Sequence, residues 1–214
     1  MFASPLDHSI IGRARQRRLL EVRISDIRDF TTDRHRVVDD SPYGGGAGMV
    51  LKPDPLVAAL EAIQAGAAQR APVILMSPQG ERLEHRRLAA LAGEHEVSIL
   101  CGHYEGIDER VVEQWVDLEV SIGDYVTTGG ELPAMVLIDA LARLLPGVVG
   151  KEESVVQDSF FSTIFDYPHY TRPQCFRGHE VPSVLLSGNH EAIRRWRRKQ
   201  ALKKTRQQRP ELLA

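Results

Sequence analysis

The stretch "SIGDYVTTGGELPAM", Ser121–Met135, places four glycine and proline residues directly before the apolar run "VLIDALARLL". This order is typical of a strand end, a flexible loop and the start of a long helix, here predicted over residues 131–145. An ordinary surface turn has the same composition. Because glycine has no Cβ, such a loop lets the main chain approach a ligand or another segment closely. The stretch therefore raises the question of which ligand or chain segment approaches its main chain closely.

Two other loops share this arrangement. We call "LMSPQG" (75–80) the first loop, "CGHYEG" (101–106) the second loop and residues 121–133 the third loop. Each follows an apolar strand and precedes a predicted helix, so the chain is predicted to be α/β with a mostly parallel sheet. In such sheets these loops meet at the carboxyl ends of the strands, where ligands bind. The pattern predicts a site and does not name its ligand.

The N-terminal region is predicted from its caps and apolar periodicity. Ser4, followed by Pro5 and Asp7, predicts a helix that is capped by Ser4 and runs to about Arg17. The alternation in "LLEVRISDIRDF" (19–30) predicts a strand.

Composition limits the class of protein. The chain has 214 residues, of which 43% are hydrophobic and 26% charged, as in ordinary globular domains. No apolar run approaches the ~20 residues that span a bilayer, and no signal peptide is predicted. Cys101 and Cys175 lie far apart, so no disulfide framework is indicated. We therefore expect a cytoplasmic protein without a membrane partner.

Charge is unevenly distributed along the chain. The net charge is −2, yet residues 194–209 carry nine Lys or Arg and no acid. A basic C-terminal segment on an acidic body indicates a polyanionic partner, while the alternative is a solvated face of a charged helix.

Common catalytic motifs are missing from the sequence. There is no GxGxxG after a strand, no HExxH and no GxSxG, and the glycine cluster Gly44–Gly48 lacks the lysine of a P-loop. These absences exclude the standard nucleotide-binding and hydrolase signatures.

Five stretches carry a resemblance to a known family: "SPYGGGAGM", "CGHYEGIDERV", "SIGDYVTTGGELPAMVLIDALARLLPGV", "DYPHYTRP" and "VPSVLLSGNHEAIRRWR". Together, and in this order, they resemble the bacterial tRNA (guanine-N1)-methyltransferases of the SPOUT class. The resemblance implies an enzyme that uses S-adenosyl-L-methionine to methylate guanine N1 in tRNA, at the guanosine 3′-adjacent to the anticodon (tRNA position 37). It also implies a homodimer with its active sites at the subunit interface.

The resemblance implies a domain plan as well. Residues 1–150 would form a methyltransferase domain with a deep trefoil knot, an exception to the rule against knotted chains. Residues 151–167 would be a linker, and residues 168–214 a small, helical, basic tRNA-binding domain. Family members normally begin with one more strand and extend further after "RPELL". The first family strand is therefore expected to be missing here and the C-terminal domain to be shorter.

The methyl donor is expected to lie bent within the knot, against the three loops. By position in the family motifs, its binding residues are Leu75, Met76, Ser77, Pro78, Gly102, Tyr104, Glu105, Ser121, Ile122, Gly123, Tyr125, Thr127, Gly129, Gly130 and Pro133. In this interpretation "TTGG" is bare because the knotted backbone wraps the ligand.

The family pattern identifies Asp158 as the general base and Arg143 as the catalytic arginine. Without the resemblance, Asp158 would be a solvated linker residue and Arg143 a partner of Asp139 one helical turn away. Residues expected to contact tRNA are Asp166, His169, Arg172, Arg194, Arg195, Arg197 and Arg198, with "DRHR" (33–36) as further phosphate contacts. The resemblance also implies Mg²⁺, although no residue spacing indicates a metal site.

Two other functions remain open at this stage. One is a SPOUT methyltransferase that acts on another RNA atom, such as a ribose 2′-hydroxyl. The other is an inactive RNA-binding member of the family.

Overall fold

The computed structural model describes residues 2–150, 159–161 and 164–213. The chain divides into two compact units, Met1–Gly150 and Lys151–Ala214. We refer to them as the N-terminal and C-terminal units.

A three-stranded parallel sheet forms the centre of the N-terminal unit. Its strands are β3 (Val73–Arg82), β4 (Ser98–Cys101) and β5 (Leu118–Ser121), in the order β4-β3-β5. The apolar start of β3 is buried on both faces, which explains why it shows no polar alternation. The predicted α/β class with a parallel sheet is confirmed.

Helices cover both faces of this sheet. On one face, Val73 and Leu75 of β3 pack in a core cluster with residues from α3 (Pro53–Ala65) and α5 (Glu109–Trp115). On the other face, Ile74 and Met76 pack with residues from α4 (His85–Leu91) and α6 (Glu131–Ala142). Each fully buried side chain of this size contributes about 1.5–3 kcal/mol. The two layers hold the strand ends, and hence the three loops, in place.

The N-terminal region differs from its prediction. Two short helices, α1 (Ala3–Leu6) and α2 (Ser9–Gln16), replace the single expected helix, and the break coincides with Ser9 at φ +55°. Ser4 lies inside α1 and is not an N-cap. Leu6 and Ile11 pack against Ile138 of α6.

The predicted strand in residues 19–30 is also wrong. Residues 20–26, all of them described, form neither helix nor strand, and a 3₁₀ turn follows at Ile27–Phe30. Leu20 and Val22 nevertheless pack against the α1–α2 core. Ile24, the next residue of the alternation, is 61% exposed, so the apolar alternation here marks neither a strand nor a continuous buried face.

A short antiparallel hairpin flanks the glycine cluster. It consists of β1 (Asp39–Asp40) and β2 (Val50–Leu51), with Asp40 opposite Val50. Gly44–Gly48 lies between its strands. In the same unit, α6 ends at Ala142, three residues before the predicted end.

The C-terminal unit combines a hairpin with helices. The hairpin strands are β6 (Cys175–Phe176) and β7 (His179–Glu180), and the helices are α7 (Ser183–Leu186) and α8 (His190–Gln208). The hairpin was not predicted. Its turn residues have φ +53° and +83°, which fits a two-residue loop of the primed type.

The long basic helix α8 was predicted. Asn189 caps it by accepting a hydrogen bond from the Ala192 amide at 3.0 Å. Its buried Thr205 accepts a hydrogen bond from the Phe165 amide at 2.9 Å, which ties the helix to the preceding segment. Among the described residues, no helix is both long and apolar enough to cross a bilayer.

Candidate active site

The first loop is an excursion within β3. Met76 pairs with Val120 of β5, the chain then leaves the sheet, and Glu81 pairs with the same Val120 when it returns. Gly80 lies so close to the main chain of Glu119 and Val120 that a Cβ there would collide with it. The sequence predicted a strand that ends at this loop, whereas β3 resumes and continues to Arg82.

The first loop is attached to the third. The guanidinium of Arg82 donates a hydrogen bond to Asp124 at 2.7 Å, and this partner raises the pKa of Arg82. The Leu83 amide donates to the Ser121 carbonyl at 2.8 Å. These contacts place the two loops side by side at the carboxyl edge of the sheet.

The second loop contacts the third where α6 begins. The Gly130 amide donates to the Gly102 carbonyl at 2.8 Å, and His103 Nε2 lies 2.5 Å from Glu131 Oε1. A Cβ on Gly130 would stand 2.7 Å from the Cα of Cys101 and 2.9 Å from the Gly102 nitrogen. Position 130 therefore has no room for a side chain, because the start of α6 packs against the end of β4. The interpretation that ligand wrapping alone explains "TTGG" was incomplete.

A further segment, next to the glycine cluster, also joins the second loop. The Glu105 amide donates to the Met49 carbonyl at 3.0 Å, and the Leu51 amide donates to the Gly106 carbonyl at 3.0 Å. The Asp108 amide in turn donates to the Leu51 carbonyl at 3.0 Å. The end of the β1–β2 hairpin thus runs beside the second loop.

The predicted donor-binding residues all lie at this edge, but their side chains differ in accessibility. Leu75 and Met76 are each 5% exposed and face opposite core clusters, so only their main chain can meet a ligand. Tyr104 and Tyr125 are 52% and 57% exposed. The others lie on or beside the same three loops: Ser77, Pro78, Gly102, Glu105, Ser121, Ile122, Gly123, Thr127, Gly129, Gly130 and Pro133.

Local hydrogen bonds hold the third loop in its shape. Ser121 Oγ donates to the Gly123 carbonyl at 3.0 Å and accepts from the Gly123 amide at 3.2 Å. Thr127 Oγ1 donates to the Gly129 carbonyl at 2.8 Å. The loop is therefore ordered by its own polar groups, and the exposed Tyr125 ring lies with one edge against Gly123.

The electrostatics of this edge are acidic. Asp124 is paired with Arg82 and Glu131 with His103, whereas Glu105 has no ion-pair partner among the described residues. Burial, and secondarily the nearby Glu131 carboxylate, raise the pKa of the Cys101 thiol to about 12. The edge thus offers exposed tyrosine rings, loop main-chain groups and an unpaired carboxylate to a ligand that carries an aromatic ring and a positive charge.

The predicted catalytic pair is placed only in part. Arg143 directly follows α6 and is half-buried, and Asp158 lies outside the described residues. Gly130 and Arg143 stand at opposite ends of α6, about 20 Å apart at 1.5 Å per residue. One surface stripe of α6 carries Leu132 and Val136, which are 50% and 48% exposed, and leads to Arg143.

The C-terminal unit brings several predicted tRNA contacts together around a cavity of about 430 Å³. His169, Arg172 and Arg197 line it, and the Arg197 guanidinium lies 4.5 Å from the centre of the Tyr167 ring. Asp166 accepts a hydrogen bond from His169 Nε2 at 2.7 Å if that nitrogen is protonated. Tyr167 was missed by the sequence analysis, although the aromatic spacing in "DYPHY" was a usable signal.

The remaining predicted arginines are on the outside of α8. Arg194, Arg195 and Arg198 are exposed, and Arg195 pairs with Glu191 at 3.6 Å. Trp196 is half-buried and packs near Tyr170, with 6.3 Å between ring centres. In the part of the chain that the structure describes, no group of three or more His, Cys, Asp or Glu could hold a metal ion.

Comparison with known proteins identifies the family. The chain matches the family described as tRNA (Guanine-1)-methyltransferase TrmD over residues 1–214. It is 54% identical over 213 residues to a tRNA (guanine-N(1)-)-methyltransferase of Idiomarina loihiensis, covering 100% of this chain and 84% of the relative. Proteins of the same name from Geobacter metallireducens and Moorella thermoacetica are 56% and 57% identical over 213 and 215 residues, in each case 100% of this chain and 86% of the relative.

These matches confirm the resemblance seen in the sequence motifs. They cover both units and include all three loops at the sheet edge. The chain belongs to the tRNA (guanine-1)-methyltransferase family.

Proposed function

We propose that the protein is an enzyme that methylates N1 of guanine in tRNA with S-adenosyl-L-methionine as donor, at the guanosine 3′-adjacent to the anticodon. The observation that carries this proposal is a 54–57% identity over the whole chain to proteins named tRNA (guanine-N(1)-)-methyltransferase. The junction of three loops at one sheet edge supports it, because a binding site for a small donor is expected there. The trefoil knot of the SPOUT class is part of the proposal.

The donor supplies an electrophilic methyl group on a positively charged sulfur. The three loops would bind it through main-chain groups, with Tyr104 and Tyr125 beside its purine and Glu105 as the carboxylate available to a cation. The contacts between Arg82 and Asp124 and between His103 and Glu131 hold the loops before the donor arrives. Such pre-organisation lowers the entropic cost of binding.

Asp158 is proposed to remove the N1 proton and Arg143 to stabilise the charge left on O6. An ordinary aspartate has a pKa of about 3.9, and guanine N1–H is a far weaker acid, so each pKa unit of mismatch costs about 1.4 kcal/mol. A cation near O6 reduces that mismatch by stabilising the deprotonated base. Mg²⁺, which the family resemblance implies, is part of the proposal without assigned ligands.

We further propose a homodimer with active sites at the interface. Arg143 and the loops of the same chain are separated by the length of α6, more than an arginine side chain can span. A second copy packed on the exposed Leu132 and Val136 face of α6 would bring its own Arg143 towards the loops. Leu132 and Val136 are apolar and exposed, as expected of residues that another subunit covers, and Asp139 lies between them and Arg143 on the same stripe.

The C-terminal unit is proposed to hold tRNA. Arg194, Arg195 and Arg198 would contact phosphates, which fixes position and not sequence. The cavity with Tyr167, His169, Arg172 and Arg197 offers aromatic faces and guanidinium groups, which suit an unstacked nucleotide. "DRHR" (33–36) would add phosphate contacts, although Arg36 is already paired with Asp29.

The decisive experiment is a methyl-transfer assay on unmodified tRNA, with the modified atom mapped by mass spectrometry of nucleosides. N1-methylguanosine supports the proposal. A 2′-O-methyl product would favour the other SPOUT chemistry, and tRNA binding without donor binding would favour an inactive RNA-binding protein.

Asp158→Asn should lower the single-turnover rate by about 10²–10⁴ and leave donor affinity unchanged. Added chelator tests the requirement for Mg²⁺.

Complementation between subunits tests the dimer. We propose that Asp158 of one subunit acts at the donor site of the other. A mixture of Asp158→Asn chains with Glu105→Ala chains, which are defective in donor binding, should then regain activity, because each mixed dimer combines one intact set of donor loops with one intact Asp158. Each variant alone is the control. Absence of rescue, together with a monomeric mass in solution, would contradict the dimer and leave the proposed reaction standing.

A further inference from the structure

The glycine cluster at 44–48 has no role in the function proposed above. Gly44, Gly45, Gly46 and Gly48 all have positive φ, between +79° and +126°. A Cβ on any of the first three would meet no atom within 4 Å. At Gly48, in contrast, a Cβ would stand 2.5 Å from Cγ and 2.8 Å from Cδ of Glu105. One glycine of the cluster therefore touches the second loop.

The main chain fixes this contact. The hydrogen bond from the Glu105 amide to the Met49 carbonyl joins the residue after Gly48 directly to Glu105. Leu51 and Ile107 then form a parallel bridge, in which Leu51 donates to the Gly106 carbonyl and accepts from the Asp108 amide. The two backbones cannot separate without breaking three hydrogen bonds, so any added side-chain volume at position 48 must be accommodated by the Glu105 side chain.

Glu105 has little else to orient it. Within the described part of the chain, no group donates a hydrogen bond to its carboxylate and no cation pairs with it, and the residue is exposed. A long side chain without polar partners samples several rotamers unless its neighbours exclude some of them. The space left by the missing side chain of Gly48 is where Glu105 lies.

We propose that Gly48 is a positioning residue: by leaving that space open, it determines where the Glu105 carboxylate stands in the methyl-donor site. This inference rests on the proposed function, since donor binding by Glu105 is part of it. Gly48 acts through Glu105 and does not itself touch the donor. The glycine cluster thus contributes to the site without a phosphate-binding role.

The test is donor affinity of Gly48→Ala, measured by titration calorimetry with S-adenosylmethionine. The atoms in the way belong to a flexible side chain, so we expect the protein to stay folded and Glu105 to be displaced. Affinity should fall about tenfold, the order of one lost charge-assisted interaction. Circular dichroism and the melting temperature report whether the fold is kept.

Gly44→Ala is the matched control. Gly44 has φ +86° and Gly48 has φ +84°, so an alanine suffers the same backbone strain at both positions, but only position 48 has a neighbour. We expect Gly44→Ala to lower the melting temperature as much as Gly48→Ala and to leave donor affinity within twofold. Equal donor affinities in the two variants would overturn the inference.

Glu105→Ala separates positioning from general damage. Glu105→Ala removes the three atoms nearest to a Cβ at position 48, so Gly48→Ala should change affinity less than twofold in that background. The same tenfold loss there would overturn the inference. If Glu105→Ala alone weakens binding and Gly48→Ala does not, the inference fails and the proposed site stands. If Glu105→Ala alone leaves affinity unchanged, the site assignment fails, and the inference fails with it.

Discussion

The two units hold their candidate functional residues in different ways. In the N-terminal unit, the loops at the sheet edge are joined by main-chain hydrogen bonds and close glycine contacts, such as Gly130 to Gly102. In the C-terminal unit, the candidate residues are long side chains on and beside α8, held by ring and ion contacts such as Arg197 over Tyr167. The first arrangement is held largely by main-chain contacts and is acidic, and the second is exposed and basic.

This difference matches what each unit is proposed to bind. A small donor of fixed shape is recognised best by groups that are already in place, because little ordering entropy is lost on binding. A polyanion is held by charges that release counterions and that need no single geometry. Substitutions in the N-terminal unit should therefore act through shape, and those in the C-terminal unit through charge.

The largest contrast is expected between the two cysteines, one in each unit. Burial and Glu131 raise the pKa of Cys101 to about 12, while Cys175 is exposed. At pH 8 the Cys101 thiolate should be about 10³-fold scarcer than that of an ordinary thiol. We expect a thiol reagent such as Ellman's to label Cys175 quickly and Cys101 only upon unfolding, with Cys175→Ser as the control.

The same pKa shift has a consequence for stability. Because the folded state favours the neutral thiol, the stability that this preference contributes is complete below the unfolded pKa of about 9. It should be lost as the pH rises from about 9 towards 12. Rapid labelling of both cysteines in the native protein at pH 8 would show that Cys101 is not in the environment described here.

The second prediction concerns the charges of α8. Replacing Arg194, Arg195 and Arg198 by Gln should weaken tRNA binding about 10²-fold at low salt, counting roughly 1 kcal/mol for each lost phosphate contact. The slope of log affinity against log salt should fall by about two to three. Donor affinity should not change. Filter binding at several salt concentrations measures this, and an unchanged slope would favour the solvated-face alternative.

Arg197→Gln sharpens this prediction, because Arg197 stacks on Tyr167 and the other three arginines have no such ring contact among the described residues. We expect it to lower the stability of the C-terminal unit by about 0.5–1 kcal/mol in addition to any loss in tRNA affinity. Arg198→Gln on the same helix serves as the control and should leave stability within about 0.5 kcal/mol.

The third prediction tests shape in the N-terminal unit. Gly130→Ala would force a Cβ against the main chain of Cys101 and Gly102, so we expect a loss of about 1–3 kcal/mol in the free energy of unfolding. Gly66→Ala is the control: Gly66 has a similar conformation, φ −87° against −75°, and its Cβ would make only ordinary contacts at 3.6 Å and beyond. Equal stabilities by urea unfolding would contradict the close packing of α6 on β4.

Parts of the fold were predictable because their signals are local. The apolar run of β3, the glycine-rich loops after its strands and the basic run of α8 all predicted elements that the structure contains. The loops' common edge followed from the parallel sheet, since the carboxyl ends of parallel strands lie together.

Other parts depended on contacts that sequence patterns do not encode. The role of Gly130 depends on how closely α6 approaches β4, and the role of Gly48 depends on Glu105, 57 residues away in the chain. Residues 19–30 showed alternation without a partner strand: Leu20 and Val22 pack against the α1–α2 core, while Ile24 is exposed. Asp158 was identified from the family motif alone and stays a prediction.

At the first loop, the number of residues in the chain can change without changing the register of β3 against β5. Since Met76 and Glu81 both pair with Val120, the strand returns to the position that it left. An insertion among residues 77–79 would lengthen the loop, and every side chain after it would still face the same layer. One residue inserted at Ile74 would exchange the two buried faces of β3. The first loop, which is part of the proposed donor site, is therefore a segment whose length can differ between relatives or be altered by engineering while the sheet stays in register.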